Sequence, residues 1–219
     1  MIIPDLLFGY NEAFNASGTH IRDDPSGIDI YVKETPNFLV VTAWGSTENK
    51  DWITDFKFML KRWKLSPLSR KDSPIRVHSG YIDGWMRIRE QVLSLVKGDN
   101  IFVNGYSMGG GLSSIIAVDI QYNKNPKNLL CADFEGPKVW NKAGRDSFNR
   151  RVPNAIKMTY SNDIVPKVPF WYKFGGKLIH IGQPVKWYKL SIKNHIDAVL
   201  SSEVRTLLSN LPIDKDGNV

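Results

Sequence analysis

The stretch IFVNGYSMGGGLSS, residues 101–114, runs an apolar, strand-like segment into a serine set among glycines and then into small residues. Within it Gly105-Tyr106-Ser107-Met108-Gly109 has the form G-x-S-x-G, in which a serine occupies a sharp turn from strand to helix. Such a turn strains the serine backbone, and side chains two residues to either side would collide, so both places call for glycine. IFVN supplies the strand, and GGGLSSIIAVDI supplies a helix whose small residues let it start close against a sheet. The first turn of that helix aims free N–H groups at any negative charge developing beside the serine. A nucleophile at Ser107 is the expectation, with a structural turn residue as the alternative.

Apolar runs rich in β-branched residues, each edged by Gly, Pro, Asn or Asp, predict strands at 28–32, 38–44, 101–104, 129–134, 155–160, 177–181 and 187–192. Helical patterns fall at 51–64, 81–96, 108–122, 141–151 and 194–209. Strands alternating with helices imply a mostly parallel central sheet covered by helices on both faces, an α/β fold, because parallel neighbours need crossover connections. At 219 residues one domain over 1–219 is the default, with 212–219 as a frayed tail.

Apolar residues at 42% and charged residues at 23% argue against disorder and against a fibrous architecture. No apolar run approaches the roughly 20 residues that span a bilayer. The opening MIIPDLLFGYNEAF has no basic residue ahead of its apolar part, so it does not read as a secretory signal, and a cytoplasmic location is the expectation. A single cysteine, Cys131 in the apolar LLCADFEG, excludes an internal disulfide or a thiolate metal cluster and predicts a buried, inert thiol. The net charge of +7 favours anionic partners. No zinc-finger or RRM signature accompanies it, so charge alone decides little; no nucleic-acid partner is expected, and an anionic membrane or micelle surface is the candidate. Asp214, Asp216 and Asn218 around Gly217 loosely resemble a calcium loop without its later glutamate, and neither metal nor cofactor is expected.

A serine hydroxyl needs a base to take its proton, and the base needs an acid to fix its tautomer. In α/β-hydrolases these follow in the order Ser, Asp or Glu, His. His20 and His78 precede Ser107, which leaves His180 and His195. His180 lies inside the alternating KLIHIG, where a hydrogen-bonded structural histidine is expected, whereas His195 in KNHIDAVL follows the last predicted strand and can project from the sheet's carboxyl edge. Among the acids, Asp119 falls within the helix behind the serine, Asp146 on a polar helix, and Asp197 beside the base in a place suited to helix capping. Asp163, in the turn SNDIVP after the strand AIKMTY, is where an open α/β sheet displays functional side chains. Asp133 and Glu135, at the end of the preceding strand, are the alternatives.

These blocks together resemble the class 3 lipases, whose familiar members are the fungal triacylglycerol lipases. TAWGSTENKDWITDF is similar to the family's oxyanion segment and lid, VHSGYIDGW to the block before its middle helix, and GYSMGG to its elbow. EGPKVWN, NDIVPKVP, LIHIG and NHIDAVL resemble the later blocks, in the same order, so the likeness runs from about Phe38 to Leu200. The resemblance implies an α/β-hydrolase fold and a serine ester hydrolase acting on a lipid or small ester. It implies a triad of Ser107, Asp163 and His195, and an oxyanion hole of Ser46 and the backbone N–H of Met108. Two departures are visible. Ala43-Trp44-Gly45 stands where the family usually has Phe-Arg-Gly, and Tyr106 stands where it usually has histidine before the nucleophile.

DWITDFKFMLKRWKL places Trp52, Ile53, Phe56, Met59, Leu60 and Trp63 at helical spacing, with Lys57, Lys61, Arg62 and Lys64 largely opposite. Such a helix buries its stripe in the core or, as the resemblance implies for 47–65, serves as a lid that opens at a lipid surface.

Overall fold

The computed structural model describes residues 6–44, 60–62, 74–183 and 187–210. The chain forms helix α1 (Leu6–Glu12), strands β1 (Thr19–Asp23), β2 (Ile28–Glu34) and β3 (Leu39–Trp44), short strands β4 (Leu60–Arg62) and β5 (Arg76–His78), and helix α2 (Ser79–Leu95). It continues through β6 (Asn100–Tyr106), α3 (Met108–Lys124), β7 (Asn128–Phe134), α4 (Lys142–Arg151), β8 (Ala155–Tyr160), β9 (Lys177–Ile181), α5 (Ile192–Leu200) and α6 (Ser202–Asn210). One sheet has the order β1-β2-β3-β6-β7-β8-β9, and β4 pairs with β5 apart from it. Within the seven-stranded sheet the first two pairings are antiparallel and the four from β3 onward are parallel. Crossovers through α2, α3 and α4 make this possible, since a tight turn cannot join parallel neighbours.

Successive residues of a strand point to opposite faces, so a sheet covered on both sides buries every position. Val41, Val103 and Cys131 join the core that holds Trp85, Ile115 and Phe148. Their neighbours Val40, Phe102 and Leu130 join the other core, with Leu6, Tyr10, Val204 and Leu208. Across the first core Asp119 of α3, fully buried, accepts from Trp85 Nε1 at 2.7 Å and from Arg89 Nε at 2.6 Å, tying α3 to α2. Burial pushes the Cys131 thiol up to about 12, in keeping with an inert thiol.

Several expectations need correction. Leu60–Arg62, placed near the end of a predicted helix and lid, form a strand against β5. The remainder of 47–65 and the tail 212–219 lie outside the described residues. The predicted strand at 187–192 is a 3₁₀ turn at Trp187–Lys189 followed by the start of α5, because Ser191 caps a helix by accepting from the Lys193 N–H at 3.0 Å. The single helix predicted at 194–209 divides at Ser201, whose extended backbone (φ −69°, ψ 116°) separates α5 from α6. Asp197 does not cap; it lies inside α5, 3.9 Å from Lys193.

Candidate active site

Strand β6 enters α3 through Ser107, whose φ of 54° and ψ of −125° lie outside the regions open to ordinary residues. Holding a non-glycine residue there costs on the order of 1–3 kcal/mol, which surrounding bonds must offset. The Ser107 N–H donates to the Phe134 carbonyl at 2.9 Å, and the Ser107 carbonyl accepts from Gly110 N at 2.9 Å. A Cβ on Gly105 would run into the carbonyl oxygens of Gly109 and Ala43, which is the physical need for glycine at that end of the motif. Met108 is the first residue of α3, so its N–H has no acceptor one turn back in the helix.

The turn after β8 carries Asp163. Its Oδ1 accepts from Val165 N at 2.9 Å, and its Oδ2 is 2.6 Å from His195 Nδ1. The two side chains are 1% and 8% exposed, so water does not compete for this bond. Residue 163 forms a parallel bridge with Ser191, and Ser191 N donates to the Asn162 carbonyl at 2.9 Å. The start of α5 is thus laid along the turn that bears the acid, and the imidazole follows one helical turn later. A carboxylate only accepts, which assigns the proton to Nδ1 and the lone pair to Nε2. His195 Nε2 is buried and has no hydrogen-bond partner among the described residues.

Tyr106 couples the imidazole to the elbow. Its ring stacks on His195 with centroids 4.9 Å apart and planes 21° from parallel, and its hydroxyl donates to the His195 carbonyl. Burial above all holds that hydroxyl well above the ordinary tyrosine range, so it stays a donor. Ser107, the next residue, is 8% exposed. No hydrogen bond from Ser107 Oγ to Nε2 is formed among the described residues; in unliganded sites such bonds are often open and tighten around the substrate.

The remaining carboxyls differ in role. Asp133 is 2.8 Å from the fully buried Lys157 Nζ and accepts from Gly136 N at 2.9 Å, so it is occupied away from the imidazole. Burial lifts the Asp133 carboxyl above its ordinary range, against the pull of Lys157. Glu135 is fully buried at a φ of 58°, a left-handed conformation uncommon outside glycine. Ligand atoms of Glu135, Asp163 and His195 all lie within 4.8 Å of one another, the one set among the described residues that could hold a metal. Asp146 is bound to Arg145 at 2.6 Å on α4.

The other histidines have structural partners. His180 lies 2.9 Å from Thr159 Oγ1 through Nδ1 and 2.9 Å from the Gln183 carbonyl through Nε2. His20 pairs with Asp29 at 2.7 Å on the β1–β2 ribbon, and His78 caps α2 by accepting from Gly80 N at 3.2 Å. Ser46 lies outside the described residues. In the sequence Tyr106 stands out only as a departure from the family pattern, and its position directly before the serine is the signal that marks it.

The fold and this arrangement define an α/β-hydrolase with an elbow serine. Residues 40–173 match the sequence profile of the family described as lipase (class 3), and the chain belongs to that family. Among curated proteins it is 28% identical over 161 residues to phospholipase A1-Igamma2, chloroplastic, of Arabidopsis thaliana, covering 59% of this chain and 30% of that protein. It is 26% identical over 154 residues to secreted mono- and diacylglycerol lipase 1 of Fusarium solani, covering 66% and 44%. The chain thus spans less than half the length of these relatives. Among solved structures, a triacylglycerol lipase from Penicillium expansum superimposes with a TM-score of 0.71 at 19% identity, over 80% of this chain and 76% of that one. The Rhizomucor miehei triacylglyceride lipase gives 0.66 at 18% identity, over 81% and 77%.

Proposed function

We propose that this chain is a serine carboxylic ester hydrolase that cleaves lipid esters through an acyl-enzyme on Ser107. The observation that carries the reading is the 2.6 Å bond from His195 to the buried Asp163, held by Tyr106 against the strained elbow that presents Ser107. His195 Nε2 takes the Ser107 proton as Oγ attacks the ester carbonyl carbon, and Asp163 stabilises the imidazolium that forms. The oxyanion is met by the Met108 N–H and, on the family resemblance, by Ser46. The intermediate collapses by breaking the bond to the leaving alkoxide, which receives the proton from His195. Water then enters by the same sequence, releasing the acid and restoring the serine.

Replacing Ser107 with alanine is expected to lower kcat on a p-nitrophenyl ester by about three orders of magnitude or more. Near-normal turnover in that variant would overturn the mechanism. Failure of the wild-type chain to react with a fluorophosphonate would favour a silent binding module on a hydrolase scaffold.

Phospholipase A1 specificity is the second reading, with a small-ester esterase behind it. It is favoured by a group of lysines following the site: Lys138 is pushed down to about 8 by burial and by the charges of Lys173, Lys167 and Lys157. A crowded cationic rim suits an anionic headgroup or an anionic membrane surface. Rates on neutral acylglycerol against anionic phospholipid separate the two.

A further inference from the structure

Glu135 combines observations that a packing role does not explain. It is fully buried, both carboxyl oxygens have no hydrogen-bond partner among the described residues, and its backbone sits at a φ where glycine would be relaxed. A carboxyl oxygen lies within 4.8 Å of both the Asp163 carboxylate and a ring nitrogen of His195. An ionised carboxyl cannot persist there without donors, and a second carboxylate beside Asp163 adds repulsion.

We propose that Glu135 carries a proton and is a positioning residue for the acid of the triad, its O–H turned toward Asp163 so that the two carboxyls share one hydrogen and one negative charge. This rests on the triad reading above. Asp163 would then be steadied by three donors: Val165 N, His195 Nδ1 and Glu135. With part of the Asp163 charge drawn to Glu135, less remains to stabilise the imidazolium, so His195 stays a neutral base to lower pH.

The groups facing Glu135 fit a neutral form. Asp163 from the β8 turn and Asp133 from β7 raise its proton affinity, and burial raises it further than either; Lys157 from β8 opposes them but is already spent on Asp133 and the Gly136 carbonyl. Lys167, after the acid turn, also senses Glu135, while Tyr10 of α1 and Tyr106 of β6 contribute hydroxyls that burial keeps protonated.

The experiment is the pH profile of kcat/KM on a p-nitrophenyl ester for the full chain, Glu135→Gly and Glu135→Gln, with melting temperature and fluorophosphonate labelling of each. Glycine suits the backbone and keeps the fold; it should lower kcat about tenfold with KM little changed. Its acid limb should move up by about half a pH unit, because Asp163 regains its full charge. Glutamine, neutral and able to donate, should recover most of the lost rate and leave the acid limb in place.

A downward shift of the acid limb in both variants would mean that Glu135 is ionised, and would overturn the proposal. So would a Glu135→Gly chain with wild-type kcat and an unmoved profile. Wild-type protein that fails to label at Ser107 would instead defeat the triad reading.

Discussion

At the scale of single residues, Tyr106 ties the imidazole of His195 to the elbow. Its hydroxyl fixes the backbone of the base and its ring fixes the plane of the imidazole. Tyr106→Phe keeps the stack and loses one buried hydrogen bond of about 1 kcal/mol, so kcat should fall about fivefold at unchanged KM. Tyr106→Ala, which also frees the ring, should cost clearly more; equal kinetics for both variants would show that the tyrosine is filler. Much of this scale was legible in the sequence. Ser107 is marked by its glycines, Asp163 by its turn after a strand, and His195 by chain order, although the strand expected before it is a turn and the start of α5. Glu135 appeared only as an alternative acid, because nothing in DFEGP tells whether a carboxyl faces the base or sits behind its partner.

At the scale of elements, the sheet's central strands were readable because both their faces are buried and their sequences are largely apolar. α1 and β1 were not. α1 has seven residues, too few to show a period, and THIRD exposes three of its five positions. The run WYKLSI has the aromatic and β-branched content of a strand, yet Ser191 inside it nucleates a helix. The α2–α3 tie carries a prediction of its own. Asp119→Ala would leave Arg89 and the Trp85 N–H buried without their acceptor, and should destabilise the fold by about 3 kcal/mol or more in urea denaturation. Asp119→Asn, which keeps an acceptor for one of them, should cost less; no loss in either would mean that the pair adds nothing to stability.

At the scale of the whole molecule, charge carries the prediction. A net charge of +7 and the lysines around residues 138–173 should draw the chain to anionic surfaces. Co-sedimentation with phosphatidylglycerol vesicles should be strong in low salt and largely lost at about 0.5 M, where screening acts within a few ångströms. Equal binding to phosphatidylcholine vesicles would instead point to apolar insertion. The composition gives the net charge but not its location, since residues 138, 167 and 173 meet only after folding.

The base also arrives by an unusual route. Tyr10 of α1 donates to the Ala198 carbonyl at 2.7 Å, and Asn11 accepts from Arg205 at 2.7 Å, so the amino-terminal helix clasps the helices that deliver His195. Residues 192–210 are made after the elbow, the sheet and the acid turn, so on the mechanism proposed above the serine gains its base last among these parts. On that reading, a chain halted before residue 192 holds every part of the proposed site except the group that takes the proton.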